Sequence, residues 1–111
     1  MTRMLAANED AYQELKAYLI AEIEVVDAAV YEDYKTEAAP IVAKYGGRYI
    51  VRGGPLTLVE GDSSKGRVVV IEFPNTTAAY AFVKSDEYRP VAEIRNAAAK
   101  SRIMIVEGII P

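Results

Sequence analysis

Apolar residues recur along this chain with two different periods, and the switches between them mark its elements. From Tyr18 to Val25 the odd positions Leu19, Ala21, Ile23 and Val25 are all apolar, while Tyr18, Ile20, Glu22 and Glu24 form a mixed second face. A period of two with one clean face predicts a strand. Beyond Asp27, a helix-capping residue, the period lengthens: Val30, Tyr31, Tyr34, Ala38, Ile41, Val42 and Tyr45 fall on one helical face. Pro40 inside this pattern is expected to kink or restart the helix, and Gly46 to end it. Gly46-Gly47 and Gly53-Gly54 bracket a short second strand, Arg48 to Arg52, with Tyr49 and Val51 on one side and Arg48, Ile50 and Arg52 on the other. After Pro55, Leu56 to Glu60 is expected to form a short extra strand, and residues 61–66 read as a turn. A third strand, Arg67 to Phe73, precedes a helix capped by Asn75, with Ala78, Ala79, Phe82 and Val83 on its buried face. Ser85-Asp86 interrupts and recaps that helix, which resumes through Tyr88, Val91, Arg95 and Ala98. Arg102 to Glu107 is the last strand, closed by Gly108.

The order strand, helix, strand, strand, helix, strand is the ferredoxin-like βαββαβ arrangement of an α+β protein. It predicts an antiparallel four-stranded sheet with the helices on one face, the first and third strands central, and the second bordering the third. Residues 17–111 form this single domain; residues 1–16 read as an extension, either an arm or a short helix over Glu9 to Leu15 capped by Asn8. Period-two parity assigns Leu19, Ala21, Ile23, Tyr49, Val51, Val69, Ile71, Phe73, Met104 and Val106 to the face under the helices. It assigns Ile20, Glu22, Ile50, Arg52, Val70, Glu72, Ile105 and Glu107 to the other face, for which the chain has no covering element. An apolar patch of Ile20, Ile50, Val70 and Ile105 exceeds what a monomer leaves in water, so a homodimer packed sheet against sheet is expected.

Four features resemble the domain-of-unknown-function family 1330: Tyr49-Ile50-Val51-Arg52-Gly53-Gly54, Val69-Val70-Ile71-Glu72-Phe73-Pro74, the Ser85-Asp86-Glu87-Tyr88 helix break, and Val106-Glu107-Gly108. The resemblance spans Lys16 to Gly108 and is most specific at the arginine-glycine-glycine end of the second strand. It implies a ferredoxin-like protomer in a dimeric α/β barrel. It implies no reaction, since the family is defined by unknown function.

Composition narrows the chemistry. The chain of 111 residues has no histidine and no cysteine, which removes the commonest general base, histidine-containing triads, thiolate nucleophiles, disulfides and thiolate metal sites. A net charge of −3 without a basic stripe argues against nucleic acid. With no secretory leader and no long apolar run, a cytoplasmic protein is expected. Neither glycine pair has nucleotide-loop spacing, and no loop has the carboxylate spacing of a metal site, so no cofactor or metal is expected.

Two groups remain as candidates. On the mixed face, Arg52 and Glu72 lie on strands expected to pair, and so do Glu22 and Glu107, whose proximity would raise one carboxylate pKa. They read either as a polar cavity with a carboxylate base or as an interface ion-pair network. Between helices and sheet, Tyr34, Tyr88 and Arg95 converge on a groove suited to a small aromatic or carboxylated molecule; related barrel families place a ligand there. The alternative is that both tyrosines are core residues and Arg95 a surface charge. The candidate ligand-binding residues are therefore Tyr34, Arg52, Glu72, Tyr88 and Arg95, in a homodimer with a small-molecule pocket. One alternative is an enzyme resembling cofactor-free monooxygenases or isomerases, with Glu22, Glu72 or a tyrosine as base. Another is a structural or partner-binding module that uses the N-terminal arm.

Overall fold

The computed structural model describes residues 3–4, 12–13, 15–62 and 66–110. Its main body runs β1 (Ala17–Val25), α1 (Ala28–Lys44), β2 (Arg48–Arg52), β3 (Arg67–Phe73), α2 (Thr76–Lys84), α3 (Tyr88–Ala98) and β4 (Ala99–Glu107). The four strands pair antiparallel in the order β2-β3-β1-β4. This is the α+β, ferredoxin-like arrangement, with β1 and β3 central.

Local signals place the helices. The Asp27 carboxylate accepts the Val30 amide at 3.2 Å, and the Asn75 side chain accepts the Ala78 amide at 2.7 Å. Gly46, with φ of 82°, follows α1 in the left-handed region where glycine is favoured. Helix α1 runs unbroken through Pro40. Under the helices the core gathers alternate residues of β1 and β3 (Leu19, Ala21, Ile23, Val69, Ile71, Phe73) with Ala38, Val42, Phe82 and Val91. Each large member contributes about 1.5–3 kcal/mol by leaving water.

Cross-strand pairing corrects two parity assignments. In β4, Ile105 stands opposite Leu19 and Ile103 opposite Ala21, so both pack under the helices; Met104 lies opposite Ile20 and Val106 opposite Tyr18, on the open face. In β2, Tyr49 pairs with Ile71, but a bulge then brings Val51 opposite Val70 and Arg52 opposite Val69. The extra residue reverses the remaining alternation, so Val51 joins the open face and Arg52 the helix face. The open face thus carries Ile20, Val51, Val68, Val70, Met104 and Val106. It is more apolar than the alternation predicts.

Two further expectations are overturned. Leu56 to Glu60 forms no strand, and Leu56, Leu58 and Val59 are exposed. Tyr12–Gln13 is not helical but pairs antiparallel with Arg3–Met4. A helix of so few residues gains too little from its own hydrogen bonds to persist without packing. Asn8 and the rest of the expected helix up to residue 14 lie outside the described residues, while Leu15 is buried on the body.

Candidate functional site

Helix α1 sets Tyr31 and Tyr34 one turn apart on the face that looks toward the sheet, with ring centroids 5.5 Å apart. Tyr88 opens α3 and is held there by Ser85, whose Oγ accepts the Tyr88 amide at 3.2 Å while donating to the Phe82 carbonyl at 2.8 Å. The Phe82 ring lies 4.3 Å from that of Tyr88. A clamp fixes the two helices relative to each other: Lys44 Nζ and the Tyr45 hydroxyl both donate to the Glu87 carboxylate, at 2.7 and 2.6 Å. These bonds hold the Glu87 carboxyl below the ordinary glutamate range and raise Lys44 above its ordinary value.

The result is a continuous polar chain through an otherwise apolar layer. Arg95 Nη1 donates to the Tyr88 hydroxyl at 2.5 Å, and the Tyr88 and Tyr34 hydroxyls are 2.7 Å apart. Arginine has donors only. Among the described residues, Tyr34 is the acceptor available for the proton of the buried Tyr88 hydroxyl, so Tyr88 accepts from Arg95 and donates to Tyr34. Tyr34, which lines the adjoining pocket, then has its own proton to donate outside this chain. Burial pushes the Tyr88 pKa far up, and Arg95 only partly offsets this, so Tyr88 keeps its proton.

Arg95 is 9% exposed, and among the described residues no carboxylate pairs with it. Its guanidinium lies 5.7 Å from the Tyr34 ring and 6.0 Å from the Tyr88 ring, bonds Asn96 at 3.4 Å, and leaves Nε without a partner. A buried charge held by ring faces and a phenol oxygen is an expensive arrangement for a purely structural residue.

The pocket beside Tyr34 is walled by Tyr31, Tyr49, Tyr88 and Phe82, floored by core residues of β1 and β3, and rimmed by Arg52 and Arg67. Its enclosed part is about 30 Å³, room for a water or two; counted out through its open mouth the space is about 440 Å³. Arg52 lies over the Tyr49 ring at 4.3 Å and Arg67 over the Tyr31 ring at 5.5 Å. Burial raises the pKa of both Tyr31 and Tyr49, with the nearby arginines acting against it, so both are neutral phenols. On the far side of Tyr88 a wider cleft of about 410 Å³ runs between α2, α3 and β4, lined by Tyr80, Lys84, Arg95 and Ile105 among others.

Of the candidates named from sequence, Tyr34, Tyr88 and Arg95 come together as a bonded chain, and Arg52 joins them at the rim. Glu72 does not. It sits on the opposite face of the sheet, where Arg48 opposes it and donates at 2.9 Å; the expected Arg52–Glu72 pair is ruled out by register, which puts Arg48 opposite Glu72 and Arg52 at the other end of β2, opposite Val69. Burial alone would raise the Glu72 pKa, but the Arg48 bond, Lys16 and the Tyr18 hydroxyl outweigh it and leave the carboxyl below its ordinary range. Glu22 and Glu107 are also apart: Glu22 pairs with Arg102 at 3.2 Å, and Glu107 stands opposite Ala17 at the other end of β1.

Sequence reading counted Tyr31 and Tyr49 as core and passed over Arg67. The signal for Arg67 was present: it shares the parity of Val69, Ile71 and Phe73, which makes it a charge on the core face of the most apolar strand.

Residues 16–109 match the family described as Domain of unknown function (DUF1330). The chain belongs to this family. No curated protein matches it. Among solved structures it resembles a protein of unknown function from Rhodopseudomonas palustris, at 20% identity and a TM-score of 0.72 over 89% of this chain and 86% of that one. It also resembles SnoaB, a cofactor-independent oxygenase from Streptomyces nogalater, at 16% identity and a TM-score of 0.66 over 87% and 96%. A dimeric ferredoxin-like protein of unknown function from Jannaschia sp. CCS1 matches at 15% identity and a TM-score of 0.58 over 84% and 99%. At these identities the likeness is one of fold. Among the described residues no helix is long and apolar enough to cross a membrane.

Proposed function

We propose that this DUF1330 protein is a homodimer that binds a small oxygen-bearing organic molecule in the tyrosine pocket of each protomer. The observation that carries the ligand reading is the Arg95–Tyr88–Tyr34 chain. A buried guanidinium with no carboxylate partner among the described residues polarises two phenols in series, and the last of them, Tyr34, lines a cavity. A carbonyl or similar oxygen on the ligand accepts the Tyr34 proton, with its carbon frame against Tyr31, Tyr49 and the core. Entry fills the enclosed space and lifts the exposed Arg52 off Tyr49, a side-chain motion on the picosecond to nanosecond scale. The dimer reading rests on the apolar strip of Ile20, Val51, Val70, Met104 and Val106 on the face away from the helices, half-buried at its middle and exposed at Val51 and Val106, and is supported by the dimeric fold relative.

The test uses acetophenone as a neutral carbonyl probe, followed by amide NMR shifts. Shifts clustered at residues 21, 31, 34, 49 and 103, with affinity weakened about five- to tenfold in Tyr34→Phe, are expected for one lost hydrogen bond. No saturable shifts at the pocket, or equal affinity in Tyr34→Phe, would overturn the reading.

A second reading, a cofactor-independent oxygenase, draws on the fold likeness to SnoaB. On this chain such an enzyme would work without Glu22 or Glu72, which face away from the pocket, and without Tyr88 as base. A substrate arriving already as an anion would meet that condition. Oxygen consumption with a panel of quinols at pH 7 and pH 9 tests it; no consumption above the protein-free rate at either pH removes it.

A further inference from the structure

The second polar end of the pocket carries information that the Tyr34 chain does not use. Arg67 opens β3 opposite Ile23, on the helix face, with its guanidinium against the Tyr31 ring. Its Nε is buried and has no acceptor among the described residues. The arginines of the other sheet face are matched: Arg48 with Glu72 and Arg102 with Glu22. Arg67 and Arg52 have no such match among the described residues, and the groups around them are the neutral phenols of Tyr31 and Tyr49, together with Lys35, already paired with Glu32 at 2.9 Å. The rim thus concentrates positive charge and hydrogen-bond donors, and among the described residues no carboxylate pairs with Arg52 or Arg67.

The backbone is shaped around this arrangement. The β2 bulge delivers Arg52 to the rim, and the next residue, Gly53, has φ of 71° and donates its amide to the Val68 carbonyl at 2.9 Å. A Cβ on Gly53 would fall 2.6 Å from Arg67 Nε and 2.7 Å from Arg67 Cζ. Glycine at this position therefore does two things: it accepts a left-handed backbone, and it leaves the space that the Arg67 guanidinium occupies. The arginine-glycine pair ending β2 reads as part of a site, with one residue supplying a cation and the next seating another.

We infer that Arg67 and Arg52 form a carboxylate-recognition end to the pocket. The ligand class is then a small aromatic acid with a second oxygen, its carboxylate on the guanidiniums and its other oxygen on Tyr34. Planar guanidinium forks match a carboxylate geometrically, and an anion supplies the acceptor that buried Nε lacks. Gly53 is a positioning residue. This rests on the small-molecule reading above and specifies the ligand it takes.

The experiment compares 3- and 4-acetylbenzoate with acetophenone by the same NMR titration on the full chain. At least one of the acids is expected to bind about tenfold or more tightly than acetophenone, with the gain shrinking as salt is raised. Arg67→Gln should erase that gain, read as the ratio of acid to acetophenone affinity within the same variant. Arg67→Lys, which keeps the charge but loses the fork, should retain only part of it. Gly53→Ala should behave like Arg67→Gln, with a native amide spectrum confirming that it folds. Acids that bind no better than acetophenone, or a gain that survives in the Arg52→Gln, Arg67→Gln double variant, overturn the carboxylate assignment and leave the Tyr34 reading standing. If neither acids nor ketone perturb the pocket, both fall together.

Discussion

The two faces of one sheet treat charge in opposite ways. On the open face each arginine has a carboxylate, Arg48 with Glu72 and Arg102 with Glu22, and these pairs flank an apolar strip. On the helix face Arg52, Arg67 and Arg95 rest on tyrosine rings, and no carboxylate pairs with them among the described residues. Both faces are incomplete, but in different senses. The open face lacks apolar cover, which a second copy of the same surface can supply. The helix face has its apolar cover, and among the described residues no carboxylate pairs with its arginines, a deficit that an anionic ligand would meet. Polar residues on a mixed strand stand out in a sequence, but here they are paired across the open face. The more telling charges are those buried where a charge is costly.

The largest effects should separate the faces by burial. Ile71→Ala, under the helices, is expected to lose about 2–5 kcal/mol in urea unfolding, as deletion of buried methyl groups does. Its loss should be the same at all protein concentrations. Val70→Lys, one residue away on the other face, should leave the protomer folded and weaken self-association at least 100-fold, roughly 2.7 kcal/mol. Sedimentation of the wild type as a monomer at low micromolar concentration would remove the dimer altogether.

The next effect sharpens the account of the helix face. Tyr88→Phe removes the acceptor of the charged Arg95 as well as the donor to Tyr34 and should cost about 1.5–3 kcal/mol, whereas Tyr34→Phe leaves only the Tyr88 proton without its acceptor and should cost about 1 kcal/mol. Equal losses, or the reverse order, would break the polarity argued for Arg95, Tyr88 and Tyr34. The smallest effect belongs to the open face. Because Glu72 titrates below its ordinary range when folded, its contribution is fully present above the unfolded glutamate pKa of about 4.3 and is lost as pH falls through the lower folded value. Glu72→Gln should therefore lower the neutral plateau of a stability–pH profile slightly and flatten the acid limb by the same amount, leaving stability at the acid end nearly unchanged. An unchanged limb would mean that the Arg48 pair contributes nothing.

Much of the fold was legible because its signals are local. Asp27 and Asn75 cap their helices through bonds within three residues, Gly46 follows α1 with the backbone that glycine favours, and the alternation in β1 names its buried residues directly. Part of the site was legible for the same reason: Tyr88 and Arg95 are two turns apart on one helix, so their meeting follows from helical geometry. Their link to Tyr34 follows from one helix packing beside another.

What failed did so where the local signal was silent. Ile103 to Val106 is a continuous apolar run, and such a run has no parity to read; only its pairing with β1 assigns Ile105 inward and Met104 outward. The bulge in β2 has no marker in Tyr49-Ile50-Val51-Arg52, yet it reverses the side chains after it and moves Arg52 from the open face to the rim of the tyrosine pocket. By itself, then, the sequence determined the order and nature of the elements, their caps and the Tyr88–Arg95 relation, because each is a matter of spacing along a few residues. The tertiary structure alone decided which face Arg52 joins, that Arg67 stands beside it, and why Gly53 follows. Those depend on register between strands far apart in the chain, which hydrogen bonding across the sheet sets and short-range patterning does not.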